Sequence, residues 1–346
     1  MCFGEILSPS FSSRTKRGKR LNPLPLLNDP AVRPTRRAVI DVGTNSVKLL
    51  VADVSGRCVT PLLEKSEQTR LGAGFYDTHL LQSDAIAKTA RAVAQFRNEA
   101  LDWHPASIRV IATSAARDAR NQGALMSSIQ QASDLQAEVI SGEQEAEWVF
   151  AGVTSDPSLA AQSIVVLDVG GGSSEFVVGE NSVCHFRQSF RLGTVRLLEE
   201  LRPSDPPSEK DWCACAVWLT EFLTKELSPA LKPALARFGA KAVLLVGTGG
   251  TATILARMQL NLATFDRAAL DAVRLGQEDV RFQQERLWRL PLAERRQIVG
   301  LPPNRADVIL TGAAIFSLVM SELGFSDLRV STRGLRFAAL MDSPSG

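Results

Sequence analysis

Three apolar, β-branched runs in the chain each end in a short turn of glycines and hydroxyl or amide residues. The turns are Gly43-Thr44-Asn45-Ser46, Gly170-Gly171-Gly172-Ser173 and Gly247-Thr248-Gly249-Gly250. Glycine lets backbone approach a ligand closely, and successive free amides in such turns form concave anion sites. The hydroxyls of Ser46, Ser173 and Thr248 add donors, and phosphate is the anion that such a set suits best. An ordinary tight hairpin tip uses the same residue types, so one turn alone leaves both readings open. Two of the three turns also carry an aspartate two residues before the first glycine, Asp41 and Asp168. Two carboxylates beside bound phosphate repel it unless a cation lies between, and Mg²⁺ is the usual solution. The alternative is that each aspartate caps its own turn.

A second candidate is Ser141-Gly142-Glu143-Gln144-Glu145-Ala146-Glu147, three carboxylates where a loop enters a helix. Glu143 and Glu147 share a face and Glu145 points elsewhere. An acidic first turn suits the helix dipole and is common on solvated surfaces. A catalytic role needs one carboxylate to face a cleft and orient water on phosphorus. Thr113-Ser114-Ala115-Ala116-Arg117-Asp118 follows a strand, and its first amides with Arg117 either hold an anion or stay solvated. Arg70, in Gln68–Gly74, and the Arg333–Arg336 cluster are candidates of the same kind.

Positioning these groups requires a duplicated scaffold. Superposing Asp168 on Asp41 aligns Val169 with Val42, Gly170 with Gly43, Ser173 with Ser46 and Val178 with Val51. This is a repeated strand-turn-strand unit, and internal repeats signal duplicated architecture. Periodicity predicts helices over 83–101, from 113, from 143, over 251–259, over 304–324 and over 334–341. A helical run over 208–238 is broken by Pro229 and Pro233, and strands are expected at 108–112, 242–246 and 328–331. Two similar α/β domains with hairpin tips at a shared cleft follow. The length of 346 residues fits, at about 150 residues per domain.

Composition excludes several classes. Hydrophobic residues make up 45% and charged residues 22%, ordinary for a globular protein. No apolar run approaches the ~20 residues of a spanning helix. Five cysteines without framework spacing read as reduced thiols of a cytosolic protein. Three histidines without an i, i+4 pair argue against zinc-hydrolase and Ser-His-Asp chemistry. Residues 1–37 hold eight basic against two acidic residues, +6 net, so the overall +2 leaves −4 for the remainder. That balance argues against a nucleic-acid-binding face. Residues 1–36 read as a disordered basic tail.

The motifs resemble the exopolyphosphatase/guanosine pentaphosphate phosphohydrolase (Ppx/GppA) family, within the sugar kinase–chaperone–actin superfamily. Val39–Leu50 resembles its first phosphate motif, Leu167–Glu175 its second, and Val246–Ala252 the superfamily's nucleotide-side loop. Arg70–Gly74, Ala112–Arg117, Ile140–Ala146 and Ser331–Arg336 follow in family order. The resemblance implies an α/β fold of two actin-like (ribonuclease H-like) domains, 37–158 and 159–333, around an interdomain cleft. The helix over 334–346 is expected to return to the first domain. It further implies that Glu145 activates the attacking water and that Asp41 and Asp168 hold Mg²⁺. Glu175 is associated with metal and water, and Arg117 with substrate phosphates. The glycine turns, through Gly43–Ser46, Gly170–Ser173 and Gly247–Gly249, bind substrate.

The expected activity is exopolyphosphatase. Guanosine pentaphosphate (pppGpp) 5′-phosphohydrolase and a weakly catalytic ppGpp-binding sensor are the alternatives. The Glu145 and Arg333–Arg336 segments weigh against a filament protein, and a missing peptide-binding region against a chaperone. Polyphosphate or the guanosine phosphates are the expected partners, with no membrane or nucleic acid, and a homodimer is left open. Long family members carry an extra C-terminal helical domain of HD type. This chain ends at Gly346 without one, so less surface is expected for holding very long polyphosphate.

Overall fold

The computed structural model describes residues 33–342 except 240, so most of the expected tail, 1–32, lies outside the described residues. Two mixed sheets form the frame. The first has the order β3-β2-β1-β4-β5, from β1 (Thr35–Val42), β2 (Val47–Ser55), β3 (Cys58–Glu67), β4 (Ser107–Ala112) and β5 (Ala137–Val139). The second has the order β10-β11-β9-β6-β7-β8. Its strands are β6 (Ser163–Val169), β7 (Ser174–Glu180), β8 (Val183–Phe190), β9 (Leu244–Thr248), β10 (Arg274–Gly276) and β11 (Asp327–Val330). In both, the first three strands form an antiparallel meander, and the leading strand (β1 or β6) also pairs in parallel with a later one (β4 or β9). The repeat read from the sequence is therefore a structural repeat.

Side-chain alternation decides what each strand shows to which side. In β1, Ala38, Ile40 and Val42 enter the core of the first lobe, whereas Val39 enters a cluster shared by both lobes. In β6, Val165, Leu167 and Val169 enter the core of the second lobe, whereas Ile164 and Val166 enter the shared cluster. Asp41 and Asp168 continue the shared-face series of Val39 and of Ile164 and Val166. Both carboxylates thus face the space between the sheets. Lys48, two before Leu50, and Glu175, two before Val177, do the same from the partner strands.

Two helices fill the shared layer crosswise. Helix Gly142–Val153 packs on β6, β7 and β8 of the second sheet, and helix Leu335–Met341 packs on that helix and on β1, β2 and β3 of the first. Their contact depends on Gly152, where an added Cβ would run into the carbonyl of Gly334, with the Gly334 carbon at 2.6 Å. A backbone neighbour cannot rotate away, so Gly152→Ala is expected to cost about 1–3 kcal/mol. Thermal or urea unfolding would measure it, and an unchanged midpoint would show that the two helices do not need this approach.

Other expectations need adjustment. The 208–238 run is one continuous path: helix Glu209–Phe222, a π turn Leu223–Leu227, helix Ser228–Leu235 and a 3₁₀ turn. Pro229 follows the π turn directly, where the hydrogen-bond pattern changes, and Pro233 lies inside the second helix, so neither proline breaks the path. Strand β9 begins at Leu244 rather than Ala242 and runs through Gly247 to Thr248. Helix Ile309–Leu323 starts later than expected, after a 3₁₀ turn at Pro303–Arg305.

Candidate active site

The cleft between the sheets is bounded by the ends of β1, β2, β6, β7 and β9 and encloses about 1030 Å³, counted out to its open mouth. Of the residues to which the resemblance gave a role, Asp41, Gly43–Ser46, Glu145, Asp168, Gly170–Ser173, Glu175, Thr248 and Gly249 line it. Two do not. Gly247 lies inside β9, and a Cβ there would meet Leu328, Phe316 and Ala252, so this glycine serves core packing. Arg117 stands behind Glu145 instead of on the cleft wall, so phosphate contact by Arg117 is not what this geometry shows.

Glu145 is buried while Glu143 and Glu147 on the same helix are exposed, which is the 3.6-residue periodicity placing one carboxylate of three inward. Ser141 caps this helix by accepting a bond from the amide of Gln144. Arg117 Nη1 donates to Glu145 Oε2 at 2.9 Å and to the carbonyl of Ile140 at 3.2 Å. Burial nevertheless dominates, and the Glu145 carboxyl is pushed up to about 7 against the pull of Arg117.

Glu175 Oε1 accepts from Ser173 Oγ at 2.9 Å and Ser189 Oγ at 2.8 Å. Burial first, then the neighbouring Glu145 and Asp168 charges, raise it well above the usual carboxylate range. Asp41 and Asp168 are raised by burial too, opposed by Lys48. Asp41 Oδ1 is buried and lacks a hydrogen-bond partner.

Three cations share the cleft wall. Lys48, paired across β1–β2 with Asp41, is lowered by burial and makes no hydrogen bond to a described residue. Arg305 donates to Ser46 Oγ at 2.7 Å, and Arg336 donates to the Leu49 carbonyl at 2.9 Å and to Glu64 at 3.2 Å. Lys48 was legible in principle: a hairpin turn that begins two residues after Asp41 brings residue 48 opposite it. Arg305 carries no local signal, because it arrives from the 3₁₀ turn of the other lobe. There Arg70 also crosses to Asp307 at 2.6 Å.

The turns themselves are held from behind. In the first, the amides of Gly72 and Arg70 donate to the carbonyls of Thr44 and Asn45 at 2.8 and 3.0 Å. In the second, the amides of Thr194 and Val195 donate to the carbonyls of Gly170 and Gly171 at 2.9 and 2.8 Å. Both braces carry one short repeat, Arg70-Leu71-Gly72 and Arg191-Leu192-Gly193, after the third strand of the meander, but the donors come from within it in the first lobe and directly after it in the second.

Comparison with known proteins agrees with this architecture. The family model described as the Ppx/GppA phosphatase family matches residues 50–343. A protein named exopolyphosphatase 2 from Mycobacterium tuberculosis is 34% identical over 310 residues, covering 86% of this chain and 95% of that one. Among solved structures, an exopolyphosphatase from Cytophaga hutchinsonii superposes with a TM-score of 0.80 at 26% identity, covering 88% of this chain and 96% of its own. The Aquifex aeolicus Ppx/GppA enzyme gives 0.70 at 28% identity, covering 89% and 99%. A match of that extent, on a scaffold of two repeated sheets whose paired aspartates meet at one cleft, makes this chain a member of the Ppx/GppA phosphatase family.

Proposed function

We propose that this cleft is the active site of an exopolyphosphatase, a phosphoric anhydride hydrolase that removes the terminal phosphate of inorganic polyphosphate. The observation that carries the reading is Glu145, a buried carboxylate of raised proton affinity, fixed by Arg117 and lining the same cleft as two amide turns. A general base works best when its pKa lies near the operating pH, and about 7 satisfies this. Glu145 takes the proton of a water whose oxygen forms a new bond to the terminal phosphorus. The bridging P–O bond breaks, and its electron pair leaves with the shortened chain. Amides of residues 44–46 and 171–173 surround the phosphoryl oxygens, those of Gly43 and Gly170 being taken up inside their own turns, and Lys48, Arg305 and Arg336 offset the charge that follows. Glu175, by accepting from Ser173 and Ser189, ties the second turn to β8.

Mg²⁺ fits the donor set. Asp41 offers an unpartnered buried oxygen and Asp168 a second carboxylate from the matching strand end. Among the described residues no three acidic, histidine or cysteine side chains converge into a closed cage. Mg²⁺ sites built on one or two carboxylates plus substrate phosphates have that character. When bound, the ion would be held by Asp41 and Asp168 and would neutralise phosphate charge.

Polyphosphate is favoured over a guanosine phosphate by the lining. Its one aromatic ring, Phe337, already has the guanidiniums of Arg267 and Arg333 over it at 5.1 and 5.6 Å, which leaves no free ring to stack a base. The reading includes a lobe division at 37–158 and 159–333. It is supported by the two sheets, with the last helix returning to the first. It also includes a cytoplasmic setting, supported by the free thiols of Cys58, Cys184, Cys213 and Cys215. No helix among the described residues is long and apolar enough to cross a membrane.

Phosphate release from polyphosphate and from pppGpp, each with Mg²⁺, tests the assignment. A preference for pppGpp of tenfold or more, on the order of one unit in log kcat/KM, would move it to the 5′-phosphohydrolase. Turnover of neither would overturn it. The pH profile is a further check. The base must be ionised, so kcat/KM is expected to rise about tenfold per pH unit up to about 7 and then level. Initial rates at low substrate between about pH 5 and 9 would measure this, and a flat profile across that range would remove Glu145 as the base.

A further inference from the structure

We propose that Arg196 is a positioning residue that aims the backbone amide of Ser173 into the cleft; this rests on the phosphate-binding role given above to the second turn. Three consecutive carbonyls of that turn are captured from one side. Gly170 O accepts from Thr194 N at 2.9 Å, Gly171 O from Val195 N at 2.8 Å and Arg196 N at 3.1 Å, and Gly172 O from the Arg196 side chain, through Nε, at 2.8 Å. In a trans peptide the carbonyl of one residue and the amide of the next point in opposite directions. Holding these three carbonyls away from the cleft therefore turns the amides of Gly171, Gly172 and Ser173 toward it. None of those three amides donates a hydrogen bond to a described residue, and all three residues line the cleft. The result is a row of three unpartnered donors, a shape that binds anions.

The first two members of the row depend on backbone, which any sequence of residues 194 and 195 supplies. The third depends on one side chain. Arg196 is itself held from the opposite lobe, by Asp118 Oδ2 at 3.2 Å and by the ring of Tyr76, with the guanidinium 4.3 Å from its centroid. Asp118 directly follows Arg117, the residue that anchors Glu145. One short helix, Ser114–Asp118, thus fixes both the proposed base and the third amide donor, setting the direction of water relative to the phosphoryl oxygens.

The experiment follows the backbone amide resonances of the full-length chain during titration with tripolyphosphate, alongside kinetics on polyphosphate. In the wild type, Gly171, Gly172 and Ser173 are all expected to shift. In Arg196→Ala the Ser173 response is expected to vanish while those of Gly171 and Gly172 remain. The same variant should lose about 10- to 10²-fold in kcat with KM changed by less than about threefold, because the donor serves charge that develops in the transition state. Arg196→Lys, which keeps one donor, should restore part of both. Should Arg196→Ala fail to fold, Asp118→Asn loosens the guanidinium without removing it and should give the same selective loss in smaller measure. Equal loss at all three amides, with kcat and KM moving together, would mean general disorder and overturn the proposal. A retained Ser173 shift with unchanged kcat would overturn it as well. Absence of any shift in the wild type would instead sink the phosphate-binding reading on which the proposal stands.

Discussion

Glu145→Gln is expected to lower kcat by about 10²–10⁴-fold while raising, not lowering, the stability of the fold at pH 8. The catalytic half follows from the position of the carboxylate. It is the one member of its acidic turn that is buried in the cleft, and glutamine cannot accept the proton of the attacking water. The stability half follows from the pKa. The Glu145 carboxyl is raised to about 7 when folded, from about 4.5 in an open chain, so the native state binds the proton more tightly than the unfolded one. Above pH 7 the folded protein therefore carries a buried charge at a cost, offset only in part by Arg117. Removing the charge is worth about 1–3 kcal/mol at pH 8, and glutamine Oε1 still accepts from Arg117. The gain should shrink as pH falls through the window from about 7 to about 4.5 and vanish below it. Urea unfolding of both proteins at pH 8 and pH 4.5, paired with phosphate-release rates, measures both halves. A variant with wild-type kcat would pass the base role to Glu175 or to another water-directing group. A variant destabilised at pH 8 would mean that the Glu145–Arg117 ion pair outweighs the burial it requires.

The same residue shows where sequence reading stops. That one of Glu143, Glu145 and Glu147 turns inward follows from helical period, but which one depends on where β8 and β7 lie against the helix. Only the family resemblance pointed to Glu145. The strand-borne groups were more legible, because a two-residue period links Asp41 to Val39 and Asp168 to Val166, and buried valines define the face. Lys48 needed the register of β1 with β2 as well as the period, and Arg305 needed the packing of one lobe on the other. Gly247 was read as part of the turn and lies in β9, because strand and turn glycines look alike in sequence. Only the proximity of Phe316 and Leu328 shows that its missing side chain makes room for the core. Arg117 was placed on the substrate by resemblance, and here its Nη1 donates to Glu145 and to the Ile140 carbonyl. The duplicated Arg-Leu-Gly turn lay in plain view at 70–72 and 191–193. It escapes the alignment of the two aspartate motifs because the first meander runs longer, through β2 and β3 to Glu67 and two further residues, whereas β8 leads straight into Arg191.

That duplication yields the second large effect, since the glycine of each Arg-Leu-Gly turn touches the phosphate turn it supports, but not in the same way. A Cβ on Gly193 would meet the carbonyl oxygen of Gly171, with the carbonyl carbons of Gly171 and Gly172 both at 2.5 Å. These are backbone atoms in the middle of the amide row. A Cβ on Gly72 would meet the Cγ2 methyl of Thr44, a side-chain atom that yields at the cost of the bond from the Ala115 amide to Thr44 Oγ1 at 3.3 Å rather than by moving backbone. Gly193→Ala must therefore push the second turn bodily by something near 1 Å, and displacement of that size in a catalytic group costs about 10²-fold in rate. Overpacking adds a loss of about 1–3 kcal/mol in stability. Gly72→Ala is expected to fall well short of both, with kcat reduced by less than about tenfold. Steady-state kinetics and thermal unfolding on the two variants, measured side by side, give the comparison. Equal effects from both would mean that the first turn is as tightly confined as the second, and a harmless Gly193→Ala would mean that the second turn is not held by residues 193–196 at all. The asymmetry has a physical origin. The carbonyls of the first turn are taken by amides alone, from Arg70 and Gly72 behind it, whereas those of the second are taken by amides and by the guanidinium of Arg196, which reaches Gly172 from helix Thr194–Leu201 packed directly behind. A brace that close leaves no room for a methyl group, so the precision of the three-amide row and its intolerance of alanine at position 193 have one cause.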